Sequence, residues 1–333
     1  MNVLLHSLIA SFGLASSLAQ IEPIESWVIE GPLEEQADLS AIAISGSALL
    51  VGSDEGTMVQ VAVPQPADTT RFTVRPDLDM VMLQSKTELD IESIARVKDT
   101  NVYYVSGSHS LKRRLLEPDA PKENNLRSLQ EIVFEPSRFH IFRIEVDPIT
   151  HALKSKRSIG LFQVIARDPV LRRFAQIPSK ENGIDIEGIA SKGKDGNTLY
   201  LGFRSPVLRD NLVPIMVLPF DQPSDYKLIY IDLKGYGIRE LVKVKKGFLI
   251  IAGPPGSATG PFYVYFWDGD DGIPDKGKRK SRLRLLGALP TPAGAKAEGM
   301  VVLKESDTQY DVAVVYDGIT GGAPARFLIT KQR

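Results

Sequence analysis

The chain has 333 residues with a formal net charge of −1, 24% charged and 43% apolar residues, the balance of a globular protein long enough to build a large core. This near-neutral charge offers no bulk attraction to nucleic acid or to an anionic membrane, so no nucleic-acid partner is expected. The absence of cysteine excludes disulfides, thiolate metal sites and cysteine nucleophiles, and four histidines argue against a histidine-rich zinc site.

Residues 1–19 form a short apolar run ending in small residues, with Ser17 and Ala19 placed for cleavage before Gln20. They read as a secretory signal peptide, although His6 stands where Lys or Arg is usual. The mature chain is then expected outside the cell or in a bacterial periplasm. No later segment reaches the 18 or so apolar residues of a membrane span, so no integral membrane segment is expected.

From residue 38 onward one two-part phrase occurs five times. Its first half is an apolar strand opened by polar residues: 38–43 (DLSAIA), 90–95 (DIESIA), 185–190 (DIEGIA), 237–242 (GIRELV) and 296–301 (KAEGMV). Its second half ends at Asp54, His109, Arg204, Gly253 and Asp317. The copies start at 38, 90, 185, 237 and 296, spaced by 52, 95, 52 and 59 residues. A repeat of about 40 to 50 residues built from short strands is that of a propeller blade. The expected fold is therefore all-β: a single β-propeller domain over 20–333, with five blades by direct count. A sixth blade would have to hide within 107–184. Residues 25–30 alternate and form a candidate outer strand closing the ring on the last blade.

The long interval carries two insertions, at about 111–138 and 161–183, the second suggesting a short helix begun near Pro169. Farther on, the acidic stretch 268–275 fails as an EF-hand loop, because Ile273 stands at the glycine position. The basic run 276–282 reads as a solvated turn.

In a blade, the start of the inner strand and the end of the second strand share one rim. First positions then bring Asp38, Asp90, Asp185 and Lys296 there, third positions Ser40, Glu92, Glu187, Arg239 and Glu298, and strand ends Asp54, His109, Arg204 and Asp317. Carboxylates gathered so closely repel without a counter-charge. Either Arg204, Arg239 and Lys296 neutralise them as a structural network, or Ca²⁺ sits among oxygen ligands, for which Asp90, Asp185, Glu298 and Asp317 are the candidates. In a catalytic reading Glu187 or Glu92 is the general base, with Arg204 and His109 holding an anionic group and Arg239, Lys296 and Asp54 binding the ligand. No nucleophile elbow, phosphate loop or two-histidine metalloprotease motif occurs, and no organic cofactor is implied.

The ordered phrases 107–110 (GSHS), 185–190, 202–209 (GFRSPVLR), 267–269 (WDG) and 297–300 (AEGM) resemble a bacterial family of secreted proteins, number 3616 among the domains of unknown function. The family is grouped with the esterase-like phytases. The resemblance implies a phytase-like β-propeller and calcium-assisted hydrolysis of a phosphoester or other ester, without a residue-by-residue match of ligands. Two readings follow: a monomeric metal-assisted hydrolase acting on a small anionic or ester substrate at the axial mouth, or a non-catalytic propeller that binds a ligand or a protein there.

Overall fold

The computed structural model describes residues 20–85, 87–276 and 281–332, so the candidate signal segment 1–19 lies outside the described residues. Each repeat folds as its apolar pattern dictates, a run of β-branched and aliphatic residues that reverses at a turn. In the first copy, Leu39–Ser45 turns back through Gly46, at φ 61°, into Ala48–Ser53. Glycine has no Cβ to resist that left-handed backbone.

Five such pairs become five blades. Their inner strands are Leu39–Ser45, Ile91–Arg96, Asp185–Lys192, Gly237–Val244 and Lys296–Glu305. Each pairs antiparallel with the second strand of its copy, and two further antiparallel strands extend the blade outward. Apolar side chains fill the space between blades. Ile186, Leu201 and Phe203 of blade three, for instance, share one buried cluster with Ile238 and Leu241 of blade four. Each such side chain stabilises the ring by about 1.5–3 kcal/mol on burial.

The segment expected as one outer strand over 25–30 is divided. Pro23–Ser26 pairs antiparallel with Ala325–Thr330 and closes the ring on blade five, whereas Val28–Glu30 runs parallel to Asp68–Val74 of blade one. Trp27 is the pivot: its backbone N–H donates to Pro324 O at 2.7 Å, and its ring lies 5.3 Å from that of Phe72. One residue thus ties the two blades that meet at the seam.

The insertion at 111–138 folds as a two-stranded ribbon, Lys112–Arg113 with Ile132–Val133, around helix α1 (Lys122–Gln130). In the second insertion, helix α2 (Phe162–Arg167) precedes Pro169 instead of starting there. A proline pushes its preceding residue out of the helical region, and Asp168 is accordingly extended (φ −64°, ψ 133°). Its carboxylate then accepts from the N–H groups of Val170 and Leu171, both at 2.8 Å, and starts a 3₁₀ turn over Leu171–Arg173. No helix among the described residues is long and apolar enough to cross a membrane.

Candidate functional site at the axial mouth

All five inner strands break register with the second strand at the same place. In blade one Leu39 pairs with Ser53 and Ala41 with Gly52, which leaves Ser40 without a partner. Glu92 and Arg239 are skipped in the same way in blades two and four, Glu187 is skipped in blade three together with Arg204 of the second strand, and Glu298 is skipped with Gly299 in blade five. Every third-position residue is therefore the extra residue of a β-bulge. A bulge bends the strand and re-aims the side chain of the residue it adds. Four of these side chains converge on the axis, while Ser40 Oγ donates to the carbonyls of Ile91 and, at 3.3 Å, Gly52.

The converging groups form a chain of ion pairs across three blades. Arg204 pairs with Asp185 Oδ2 and, at 2.7 Å, with Glu187 Oε1. Glu187 also accepts from Arg239 Nη1 at 3.2 and 3.1 Å, and the same nitrogen donates to Glu298 at 2.7 Å. Arg138 holds Asp90, and Lys296 holds Asp317. Carboxylates still outnumber cations. Glu92 makes no hydrogen bond or ion pair among the described residues, and buried oxygens of Asp185 (Oδ1) and Asp54 (Oδ1) have no partner. One carboxylate oxygen each from Glu92, Asp185 and Glu187 lie within 4.8 Å of one another.

This imbalance governs protonation. Burial, reinforced by Glu187, raises the Glu92 carboxyl well above the usual range. Burial pushes Glu298 up to about 8 against the opposing pull of Arg239, and Asp185 up to about 6 against that of Arg204. Asp54 rises to about 9, first through burial and then through Glu298 and Asp90. The mouth thus takes up protons or a cation to balance its charge.

The four residues expected as calcium ligands are not gathered together: Asp90 and Glu298 are engaged by Arg138 and Arg239, and Asp317 joins Asp38 and Asp54 in a separate acidic triplet. Asp185 alone of the four lies in the central triplet with Glu92 and Glu187. His109, expected at the rim beside the carboxylates, lies instead in an apolar niche with Leu111, Phe139 and Phe162 under the insertions. A backbone φ of 57° turns the chain there, Nδ1 is 2.8 Å from Gly107 O, and Nε2 is buried without a partner. Burial lowers its pKa to about 4, so the ring is neutral at ordinary pH.

Two residues of the mouth escaped the sequence reading. Arg138 comes from the end of an insertion, outside the repeat, and no pattern marks it. Glu240 did leave a signal: the fourth position of the phrase reads Ala41, Ser93, Gly188, Glu240 and Gly299, one acid among small residues. The structure explains the asymmetry. Glu240, 1% exposed, reaches across the axis to accept from Ser93 Oγ of blade two at 2.7 Å and from its own neighbour Leu241 N at 2.7 Å. It fills the space left by the small residues, and a Cβ added at Gly188 would stand 2.8 Å from Leu241 N.

The family described as protein of unknown function (DUF3616) matches residues 38–326. No curated protein matches the chain. Among solved structures the chain is similar to that of U3-55K (10% identity, 90% of this chain and 65% of that one, TM-score 0.39). It is similar also to the Dos1 propeller (10% identity, 89% of this chain and 58% of that one, TM-score 0.37). A third likeness is to the periplasmic gluconolactonase of Pseudomonas aeruginosa (13% identity, 84% of this chain and 80% of that one, TM-score 0.35). The chain spans less than two thirds of the length of the first two, 65% and 58%.

Proposed function

The chain belongs to the DUF3616 family, and we propose that it is an exported propeller whose axial mouth hydrolyses a phosphoester or other ester with the help of Ca²⁺. The observation that carries this reading is Asp185, 1% exposed, with one carboxylate oxygen held by Arg204 and the other free beside the unpaired Glu92. A carboxylate fixed on one side and open on the other, with its pKa raised to about 6, is suited to take a proton from water near neutral pH. Glu187 is less suited to that role, because Arg204 and Arg239 engage its oxygens. Its part is to hold the two guanidinium groups in place. Those groups would face the negative charge that develops on an ester or phosphoryl oxygen. Glu92, kept protonated by burial while no cation is bound, would give up that proton when a cation is taken up, and the proton that Asp185 removes from water would pass to the leaving oxygen.

Oxygen donors and an unsatisfied negative charge suit a hard divalent cation, and Glu92, Asp185 and Glu187 would hold it. Bound there, Ca²⁺ would supply Lewis-acid polarisation of the substrate oxygen. The phosphoester class is taken from the resemblance to esterase-like phytases. Export rests on residues 1–19, and cleavage before Gln20 would leave the ring-closing strand Pro23–Ser26 intact.

The binding-only reading is favoured by how little of the mouth is open: Glu187 and Arg239 are 2% and 1% exposed. One assay separates the two. The purified chain with Ca²⁺ is offered a panel of aryl esters, lactones and phosphomonoesters, alongside Asp185→Asn and Arg204→Ala. Turnover that falls by two or more orders of magnitude in both variants supports the hydrolase, whereas absence of turnover, or turnover that both variants retain, overturns it.

A further inference from the structure

The rim opposite the mouth carries a second, differently charged concavity between blades four and five. It is a groove of about 270 Å³ whose floor includes Leu286 and Tyr310 and whose wall includes Phe266. Its rim is cationic: Lys245 and Lys246 come from the inner turn of blade four, Arg282 and Arg284 from its outer strand and the turn before it, and Lys331 from the end of blade five.

The charges of this groove are not balanced from within. Two acids line it against five cations: Asp307 is exposed, and both oxygens of Glu305 are taken, Oε1 by Lys331 Nζ at 2.6 Å and Oε2 by the backbone N–H of Lys245 at 2.8 Å. Lys331 in turn lies over the Tyr310 ring at 4.4 Å, which fixes that end of the floor. Neither Lys245, Lys246, Arg282 nor Arg284 makes an ion pair with a carboxylate among the described residues. Arg284 does donate to Gln332 O at 2.6 Å, an anchor that keeps its guanidinium at the groove. Four cations without carboxylate partners around an apolar floor form a receptor for negative charge joined to a small hydrophobic body.

We infer that this groove binds a small organic polyanion, with phosphate or carboxylate groups on Lys245, Lys246, Arg282 and Arg284 and its carbon skeleton against Phe266 and Tyr310. Guanidinium groups take either anion in a bidentate fork, and the neighbouring lysines add point charges that tolerate several spacings. The site lies on the far rim of the ring from Asp185 and does not depend on the chemistry proposed there.

The test is calorimetric titration of the whole chain with tripolyphosphate and, separately, with citrate, at about 50 and about 300 mM salt. At least one probe is expected to bind at the lower salt and to weaken at the higher; the tighter of the two identifies the anion. In the double variant Lys246→Ala/Arg282→Ala, whose two side chains are exposed, Kd should rise tenfold or more. Asp185→Asn should bind as the unaltered protein does. The inference is overturned if neither probe binds at the lower salt, if the double variant binds equally well, or if binding is lost in Asp185→Asn instead.

Discussion

Arg239 and Glu187 meet where blade four faces blade three: one guanidinium nitrogen lies 3.2 and 3.1 Å from the two oxygens of the carboxylate and 2.7 Å from Glu298 of blade five. Because Arg239 is 1% exposed, it takes part in no exchange with solvent that could soften its loss. Arg239→Ala leaves the buried Glu298 without its ion-pair partner and Glu187 with Arg204 alone, and should cost about 3–5 kcal/mol in urea unfolding. The replacement Glu187→Gln should cost less, because Arg239 keeps Glu298. Equal losses from the two variants would show that the network does not hinge on Arg239.

Calcium should stabilise the protein through the central triplet. At a concentration one hundred times its Kd, Ca²⁺ adds about 2.7 kcal/mol to the folded state. The expected rise in melting temperature should vanish in Glu92→Gln and persist in Asp317→Asn, since Asp317 is engaged by Lys296. A rise that survives in Glu92→Gln would place the cation elsewhere.

Without added cation, stability should fall as pH rises from about 5 to about 8. Asp54 has a folded-state pKa of about 9 against an ordinary 3.8, so between these values the folded chain holds a proton that the unfolded chain has lost. That contribution is fully present below the ordinary value and disappears as pH climbs through the folded one. Melting curves at pH 5 and pH 8 measure the slope, and Asp54→Asn should make it shallower, with Asp185 and Glu298 supplying the rest.

Glu240 should behave as a plug and not as a reacting group. Burial raises its carboxyl well above the usual range, and its oxygen serves Ser93 and Leu241. Glu240→Gln retains an acceptor of the same shape and should be tolerated within about 1 kcal/mol. Glu240→Ala opens a cavity and strips these donors, which should cost about 3 kcal/mol or more.

His109 should be dispensable for chemistry at the mouth. Its niche is apolar, and neither of its ring nitrogens bonds a carboxylate. His109→Gln is expected to change any ester or phosphoester turnover by less than about threefold, measured as kcat/KM. A hundredfold loss would return His109 to the reactive set.

The blades were readable because their cause is periodic. Apolar alternation and turn residues recur in every copy, and each copy needs the next to cover its faces. The mouth was readable only in part. The repeat puts Asp185, Glu187, Arg204, Arg239 and Glu298 at one rim by register position, and the structure joins them in one chain of ion pairs. Which of them pair is decided by the bulges at Glu92, Glu187, Arg239 and Glu298, and a bulge depends on hydrogen bonds between strands that no single-strand pattern records. His109 went astray for a related reason: it was placed by counting along a strand, but the strand ends at Gly107 and the backbone then turns left-handed. Arg138 belongs to an insertion, whose path depends on the surface it crosses.

The seam at Pro23–Ser26 and Ala325–Thr330 has a temporal meaning as well. Glu25 and Arg326, which touch across it, are 301 residues apart in the chain. Blade five therefore stays two strands short until residues 325–330 have left the ribosome, and the slowest step of folding should be their meeting with Pro23–Ser26. A nascent chain held in this waiting state has an open ring up to the moment residues 325–330 reach their partner strand.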